Sequence, residues 1–175
     1  MKKIVAFLTT FIIAITVLAI PSTGHAMNQK DLAGKVYLVT FNKTSSTSKP
    51  SYAYYFFNNN GKAAFEYVPG FNDDGSPAID MNNATQNEKK APKRVNKLLT
   101  NKKYFTNRCK EDNAFKLKNN VARFDNGFIV GDTKWKLQDG GTPNDFTFKC
   151  LGDDGEYSDA HFQLAPQNYQ YKFKW

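Results

Sequence analysis

Side chains that could perform catalysis are few in this sequence. Beyond residue 26 the chain has one histidine, His161, so an acid–base pair of two histidines is excluded. Ser158, Asp159 and His161 are close in sequence, but on a strand Asp159 and His161 share a face that Ser158 does not. The pattern therefore predicts no local triad, and we expect no catalytic residue and no enzymatic activity.

The carboxylates cluster in polar turns, as in Asp73-Asp74 and in the GDDGEYSD segment at 152–159. Turn chemistry accounts for acids at such places, although their number leaves a catalytic acid pair open. GDDGEYSD has oxygen ligands without the spacing of an EF-hand. The sequence also has no His/Cys cluster for zinc and no glycine-rich phosphate motif, so we expect no metal and no cofactor.

The N-terminal residues have the pattern of a secretory signal peptide. Lys2 and Lys3 precede an apolar run over 4–20, and Pro21 is followed by the small-residue stretch STGHA. This predicts cleavage after Ala26 and a single domain over 27–175, secreted or periplasmic, with an uncleaved anchor as the alternative. In such a compartment the only two cysteines, Cys109 and Cys150, are expected to form a disulfide.

The formal net charge is +8, which favours contact with a polyanionic surface such as lipid head groups, cell-wall polymers, glycans or nucleic acid. A solvated soluble surface explains the same charge. Lysines alternate with rings in TKWKL (133–137) and YQYKFKW (169–175), which places rings and cations on opposite faces of a strand. Single-strand readers need both on one surface, so the pattern disfavours nucleic-acid binding.

Most of the chain is strand-like, with period-two alternation and turn residues between the segments. The pattern predicts an all-β fold of eight to ten short strands, an antiparallel meander that forms a barrel or a sandwich. Asn60-Gly61 predicts a hairpin between 52–57 and 62–68. We also expect a long exposed loop over 70–90 and one short helix from Pro92 to Tyr104.

The opening strand resembles that of the lipocalins, whose first strand carries a Gly-x-Trp-Tyr-like motif. Gly34, Lys35 and Tyr37 match it, and Val36 stands where the family has tryptophan. The resemblance implies an eight-stranded barrel that holds a small apolar ligand in its mouth. Alternate residues line a barrel interior, and the candidate lining residues are Tyr37, Val39, Tyr54, Phe65, Tyr67, Trp135 and Phe148.

One strand, YAYYFF at 52–57, is aromatic on both faces. Tyr52, Tyr54 and Phe56 share one face, whereas Tyr55 and Phe57 share the other. Such a strand suits a position covered on both sides, or one whose outer face touches a ligand, partner or lipid. Tyr55 and Phe57 are therefore added to the candidate ligand-binding residues.

Two other functional classes stay open. The chain ends with alternate rings at Tyr169, Tyr171, Phe173 and Trp175, which resembles the last strand of an outer-membrane β-barrel. A secreted effector or inhibitor that binds a protein partner leaves few marks in a sequence. The leading interpretation is a secreted, non-catalytic binding protein for a small apolar ligand.

Overall fold

The computed structural model describes residues 26–43, 50–60, 62–111, 115–124, 134–138, 140–151 and 158–175. The predicted signal peptide, 1–26, lies outside these residues except for Ala26, and the turns predicted at 125–127, 131–132 and 153–155 lie outside them as well. The predicted domain boundaries stay predictions.

Eight strands and three α-helices make up the described part of the chain. The helices are α1 (Gln29–Leu32), α2 (Gln86–Thr100) and α3 (Lys102–Glu111), and a 3-10 turn follows at Gln167–Tyr169. The strands are β1 (Val36–Lys43), β2 (Ser51–Phe57), β3 (Ala63–Val68), β4 (Phe115–Lys118), β5 (Val121–Phe124), β6 (Lys134–Leu137), β7 (Asp145–Leu151) and β8 (Ser158–Leu164).

The strands form one curled, half-barrel sheet in the order β3-β2-β1-β8-β7-β6-β5-β4, and every neighbouring pair is antiparallel. This is the order of an up-and-down barrel with its seam between β3 and β4. Helices α2 and α3 lie between those two strands in the chain. The all-β prediction is confirmed, and the hydrogen-bonded order described here stops at the seam.

Side chains close the seam from inside the curl. The ring centroids of Phe57 on β2 and Phe115 on β4 are 4.9 Å apart. Helix α1 lies beside β4, where the Leu117 amide donates to Gln29 Oε1 at 2.9 Å. The Met27 amide donates to Asn120 Oδ1 at 2.6 Å, so the segment before β1 is fixed to the β4–β5 turn.

Two apolar clusters lie on opposite sides of the sheet. The inner cluster fills the concave side and draws residues from all eight strands and from α1. The outer cluster packs the convex side of β1–β3 against α2, α3 and the C-terminal residues. On β2, Tyr55 and Phe57 belong to the inner cluster, and Tyr54 and Phe56 to the outer one. Of the two alternatives given for this strand, the structure shows the first, because rings on both of its faces are buried.

The hairpin between β2 and β3 is confirmed, with a loop over residues 58–62. The Asn58 amide donates to the Lys62 carbonyl at 2.9 Å, and Asn58 Oδ1 accepts from the amides of Asn60 and Lys62. Asn58 therefore organises the turn with its side chain. Gly61 lies outside the described residues.

The helix predictions were wrong in their boundaries and number. Helix α2 begins at Gln86, because Thr85 and Glu88 form a capping box in which each side chain binds the other residue's amide. Pro92 is thus inside the helix rather than in its first turn. A second helix, α3, follows because Asn101 Oδ1 accepts from the Tyr104 amide and starts a new first turn.

The loop predicted over 70–90 ends at Thr85, and part of it is packed on the sheet. Phe71 pairs with Pro77 in an isolated bridge, and the Tyr54 hydroxyl donates to the Gly75 carbonyl. Gly75 has φ +81°, and a Cβ there would lie 2.8 Å from Pro166 Cδ, so this position requires glycine. The segment covers the outer face of β2 rather than lying exposed throughout.

The C-terminal residues do not form the strand that their alternation suggested. Gln170 anchors them, because its side chain accepts from the Val36 amide at 3.1 Å and donates to the Val36 and Ala165 carbonyls. The rings of Tyr171 and Trp175 then pack against Phe105 of α3 at 5.3 Å each. The alternating rings at 169–175 therefore do not form a last barrel strand; Tyr171 and Trp175 pack against helix α3.

An ion pair fixes the helical layer to the sheet. Both Nε and Nη2 of Arg94 on α2 donate to Glu66 Oε1 on β3, at 2.8 and 2.6 Å. Glu66 is only 7% exposed, so loss of Arg94 would leave a buried carboxylate without its cation.

We expect Arg94→Ala to lower the free energy of unfolding by about 2–4 kcal/mol, because it leaves the Glu66 charge buried and uncompensated. Urea denaturation followed by circular dichroism measures this change. The matched control is Lys93→Ala, an exposed position on the same helix, which should stay within about 0.5 kcal/mol of wild type. Equal urea midpoints for Arg94→Ala and Lys93→Ala would show that the Arg94–Glu66 ion pair does not stabilise the packing of the helices on the sheet.

Candidate ligand-binding site

The deep part of the concave face is filled by rings in mutual contact. Tyr37 lies at its centre, with ring centroids 5.7 Å from Phe57, 5.4 Å from Phe146 and 6.1 Å from Phe162. The Tyr37 hydroxyl donates to the Pro143 carbonyl at 2.7 Å. Burial raises the pKa of Tyr37 well above its ordinary value and keeps the phenol neutral.

At the other end of the concave face, five rings form a continuous path across four strands. We call this set the aromatic mouth; its members are Trp135 on β6, Phe41 on β1, Tyr55 on β2, and Phe65 and Tyr67 on β3. The centroid distances along the path are 6.0 Å, 6.2 Å, 5.7 Å and 5.3 Å. Trp135 and Tyr55 are buried at 2% and 6% exposure, whereas Phe41, Phe65 and Tyr67 are half-buried against them.

Small residues lie between the rings of the mouth. Register places Ala53 between Val39 and Tyr67, and Ala160 between Phe41 and Phe148. Both alanines are fully buried. The short side chains make room for the rings on either side of them, of which Phe41, Phe65 and Tyr67 are half-buried.

The structure separates the predicted ligand-binding residues into three groups. Tyr55, Phe65, Tyr67 and Trp135 come together in the aromatic mouth. Tyr37, Val39, Phe57 and Phe148 are fully buried in the inner cluster. Tyr54 was wrongly placed with them, because it lies on the outer face with Phe56 and Phe71.

Phe41 is the mouth residue that the sequence reasoning missed. It has the same strand parity as Tyr37 and Val39, so the period-two pattern of β1 contained the signal. Its contact with Trp135 joins β1 to β6 across two intervening strands, and that contact depends on the curl of the sheet.

A cleft lies between α2 and the C-terminal residues. This cleft has a volume of about 240 Å³ and is lined by Pro77, Pro92, Val95, Asn96, Leu99, Asn168, Tyr169 and Lys172. Its volume is below the roughly 300–1,000 Å³ of typical ligand pockets.

His161 is paired across the sheet rather than with its sequence neighbours. Its Nε2 lies 2.7 Å from Asp145 Oδ1, and both side chains are exposed on the convex face. The Ser158 side chain lies outside the described residues. The register places Thr40 on β1 and Thr147 on β7 directly opposite His161, and the His161–Asp145 pair joins β7 to β8.

The predicted disulfide stays a prediction. Cys109 is buried in the outer cluster, and the Cys150 side chain lies outside the described part of the chain. Within the same described ranges, no group of three or more His, Cys, Asp or Glu side chains is placed to hold a metal ion.

No protein-family model matches this chain, and no curated protein or solved structure matches it either. Of the helices that the structure describes, none is long and apolar enough to cross a membrane.

Four buried or partly buried tyrosines make the free energy of unfolding depend on pH. The pKa is raised for Tyr37, Tyr54, Tyr169 and Tyr171, chiefly because burial disfavours the phenolate. The unfolded chain has tyrosine pKa values of about 10. The folded state therefore prefers the neutral phenol, and this preference contributes fully below pH 10 and is lost as the pH rises above it.

We expect the free energy of unfolding to fall above pH 10, by about 1.4 kcal/mol per pH unit for each of Tyr37 and Tyr54. Urea denaturation between pH 8 and pH 11 measures this fall. Tyr54→Phe keeps the ring without the ionisable group, so it should lose less stability over the same range. A wild-type stability that is flat up to pH 11 would contradict the assignment.

Proposed function

We propose that this protein is an exported, non-catalytic binding protein that holds a small apolar ligand at the aromatic mouth. The observation that carries the proposal is the unequal burial of the concave face. Its deep rings are covered by one another, whereas Phe41, Phe65 and Tyr67 stay half-buried although they adjoin the same cluster. A ligand that covers them removes further apolar surface from water, worth about 25 cal/mol per Å² before the costs of association.

The strand order supports the lipocalin-like resemblance as part of this proposal. An up-and-down order of eight strands brings inward side chains of β1, β2, β3 and β6 into one apolar cluster on the concave side. The seam between β3 and β4 distinguishes this sheet from a closed barrel. Phe65 and Tyr67 are on β3, the last strand before the seam.

Trp135 provides a direct reporter for this proposal. The chain has two tryptophans, and Trp175 packs with Phe105 in the C-terminal region. In Trp175→Phe, the fluorescence of Trp135 should change saturably on titration with the neutral apolar probe N-phenyl-1-naphthylamine. Adding Phe65→Ser and Tyr67→Ser should raise the Kd at least tenfold, about 1.4 kcal/mol, because two of the covering rings are gone.

The control in the same background is Phe173→Ser, which removes a half-buried ring from the outer cluster. Circular dichroism confirms that each variant is folded. The control should bind the probe with unchanged affinity. If no saturable signal is found, or if the control weakens binding as much as the mouth variant does, the proposed site is wrong.

Export and the disulfide belong to the same proposal and have a separate readout. The intact mass of the protein recovered from the compartment to which it is exported should fit a chain that begins at Met27. It should be lighter than the reduced form by two hydrogen atoms, as one Cys109–Cys150 bridge requires. A chain that keeps residues 1–26, or a mass unchanged by reduction, would contradict that part.

A further inference from the structure

The cleft between α2 and the C-terminal residues is a site that the proposed function does not use. Its buried lining residues belong to the outer cluster, so it lies on the convex side of the sheet, whereas the aromatic mouth is on the concave side. Its volume of about 240 Å³ is the share of about eight water molecules in the liquid. Bonded atoms lie closer together than neighbouring waters do, so the cleft has room for a compound of about ten non-hydrogen atoms.

One face of α2 gives the cleft an apolar floor. Four of its residues line the cleft at spacings of three and four, which keeps them on one face of the helix: Pro92, Val95, Asn96 and Leu99. Val95 and Leu99 are buried in the outer cluster, and Pro92 is exposed beside them. Pro77, from the segment before α2, adds a further apolar side chain. An apolar group in the cleft therefore lies against two prolines and two aliphatic side chains.

Hydrogen-bond donors lie beside this floor. Asn96 on α2 and Asn168 in the 3-10 turn each bring a side-chain amide, and Lys172 brings an ammonium group. All three residues are exposed, so their N–H groups are open to a molecule from solvent. Tyr169 completes this part of the lining. The cleft thus combines apolar side chains with donors that suit an oxygen anion.

Contacts within the protein hold the walls of the cleft in place. The Lys172 amide donates to the Leu99 carbonyl at 2.9 Å, so the C-terminal residues are bound to the end of α2. The Tyr169 amide donates to the Pro166 carbonyl at 2.8 Å, and its ring centroid lies 5.8 Å from that of Tyr54. A site that is formed before binding loses less freedom when a ligand enters.

The charges around the cleft favour an anion at one part of it. Lys172 is the one charged residue of the lining, and no carboxylate among the described residues lies within ion-pair distance of its ammonium group. The pKa of Tyr169 is raised by burial and then by the Asp74 carboxylate, which places a negative charge near the Tyr169 side. An anionic group is therefore attracted to Lys172 and repelled from the Tyr169 side.

We propose that this cleft binds a small monocarboxylate, with its carboxylate at Lys172 and its apolar body on the α2 floor. One ammonium group and two neutral amides match a single negative charge. A phosphate monoester carries about two negative charges at neutral pH, and the lining offers one cation. The cleft and the aromatic mouth are on opposite sides of the sheet, so this site does not depend on the proposed apolar ligand.

Phenylacetate is the probe, because it joins one carboxylate to an apolar ring and has about ten non-hydrogen atoms. Phenylacetamide has the same size without the charge. In proton–nitrogen NMR titrations, phenylacetate should shift the side-chain amides of Asn96 and Asn168 and the backbone amide of Lys172 saturably, with a Kd of about 1 mM. Phenylacetamide should bind at least about fivefold more weakly, because it lacks the charge-assisted hydrogen bond from Lys172.

Matched variants test the role of the lysine. Lys172→Gln keeps a donor without the charge, so it should weaken phenylacetate binding at least about fivefold. The control Lys174→Gln changes an exposed lysine outside the lining and should stay within about twofold of wild type at about 150 mM salt, where exposed charges are screened. Asn96→Phe puts a ring into the cleft from an exposed helix position and should abolish binding. Circular dichroism confirms that each variant is folded.

Several results overturn the proposal. No saturable shift at these amides up to about 20 mM phenylacetate would leave a water-filled crevice. Equal affinity for phenylacetamide, or equal loss in Lys172→Gln and Lys174→Gln, would mean that Lys172 holds no carboxylate. Tighter binding of phenyl phosphate than of phenylacetate would assign a doubly charged ligand. Shifts at the Phe65 and Tyr67 amides in place of the Asn96 amide would put the acid in the aromatic mouth, which removes this site and leaves the proposed function.

Discussion

The fold depends on burying both faces of β2. Its inward rings, Tyr55 and Phe57, and its outward rings, Tyr54 and Phe56, are all at most 6% exposed. A two-sided aromatic strand cannot lie at a water-facing surface without exposing several hundred square ångströms of apolar area, at a cost of several kcal/mol. The chain meets this constraint by curling the sheet on one side and placing a helical layer on the other.

Several irregular parts of the structure follow from that constraint. Helix α2 presents Val95, Leu98 and Leu99 to the outer cluster. The segment before it places Phe71 against Tyr54 at 5.2 Å, and the C-terminal residues add Tyr169 at 5.8 Å. Three segments distant in sequence thus cover one strand face, and the Arg94–Glu66 pair fixes the largest of them to β3.

The other half of the sheet has no such requirement. Among the described side chains of β4 to β8, the inward ones are buried or half-buried, and the outward ones are mainly polar or charged. This asymmetry gives the molecule a side covered by the helical layer, a concave side with its aromatic mouth, and a convex side of β4 to β8 with mainly polar residues. The proposed apolar ligand uses the concave side.

The sequence predicted the strands well, because alternation of ring and lysine is a local property. The aromatic character of both faces of YAYYFF was visible in the sequence and left two-sided cover as one alternative. Whether Tyr54 points inward depends on the register of β2 against β1, which pairs Tyr37 with Tyr55. The start of helix α2 was predicted too late in the chain, because Pro92 was taken as a first-turn residue and the capping box of Thr85 and Glu88 was not considered. The C-terminal rings were misread because helix α3, which they cover, was not predicted. The inward position of Phe41 follows from the period-two pattern of β1, but its contact with Trp135 depends on the curvature of the sheet, which no local pattern encodes.

The most direct test of the account is a crystal structure of the protein with a bromine-labelled n-alkanol, in which the anomalous signal locates the halogen. The account predicts a bromine peak within about 4.5 Å of the Phe65 or Tyr67 ring, on the concave side of the sheet. A peak only in the cleft beside Val95 and Leu99 would contradict it, because the apolar ligand would then bind on the covered side and the mouth would be only the end of the core.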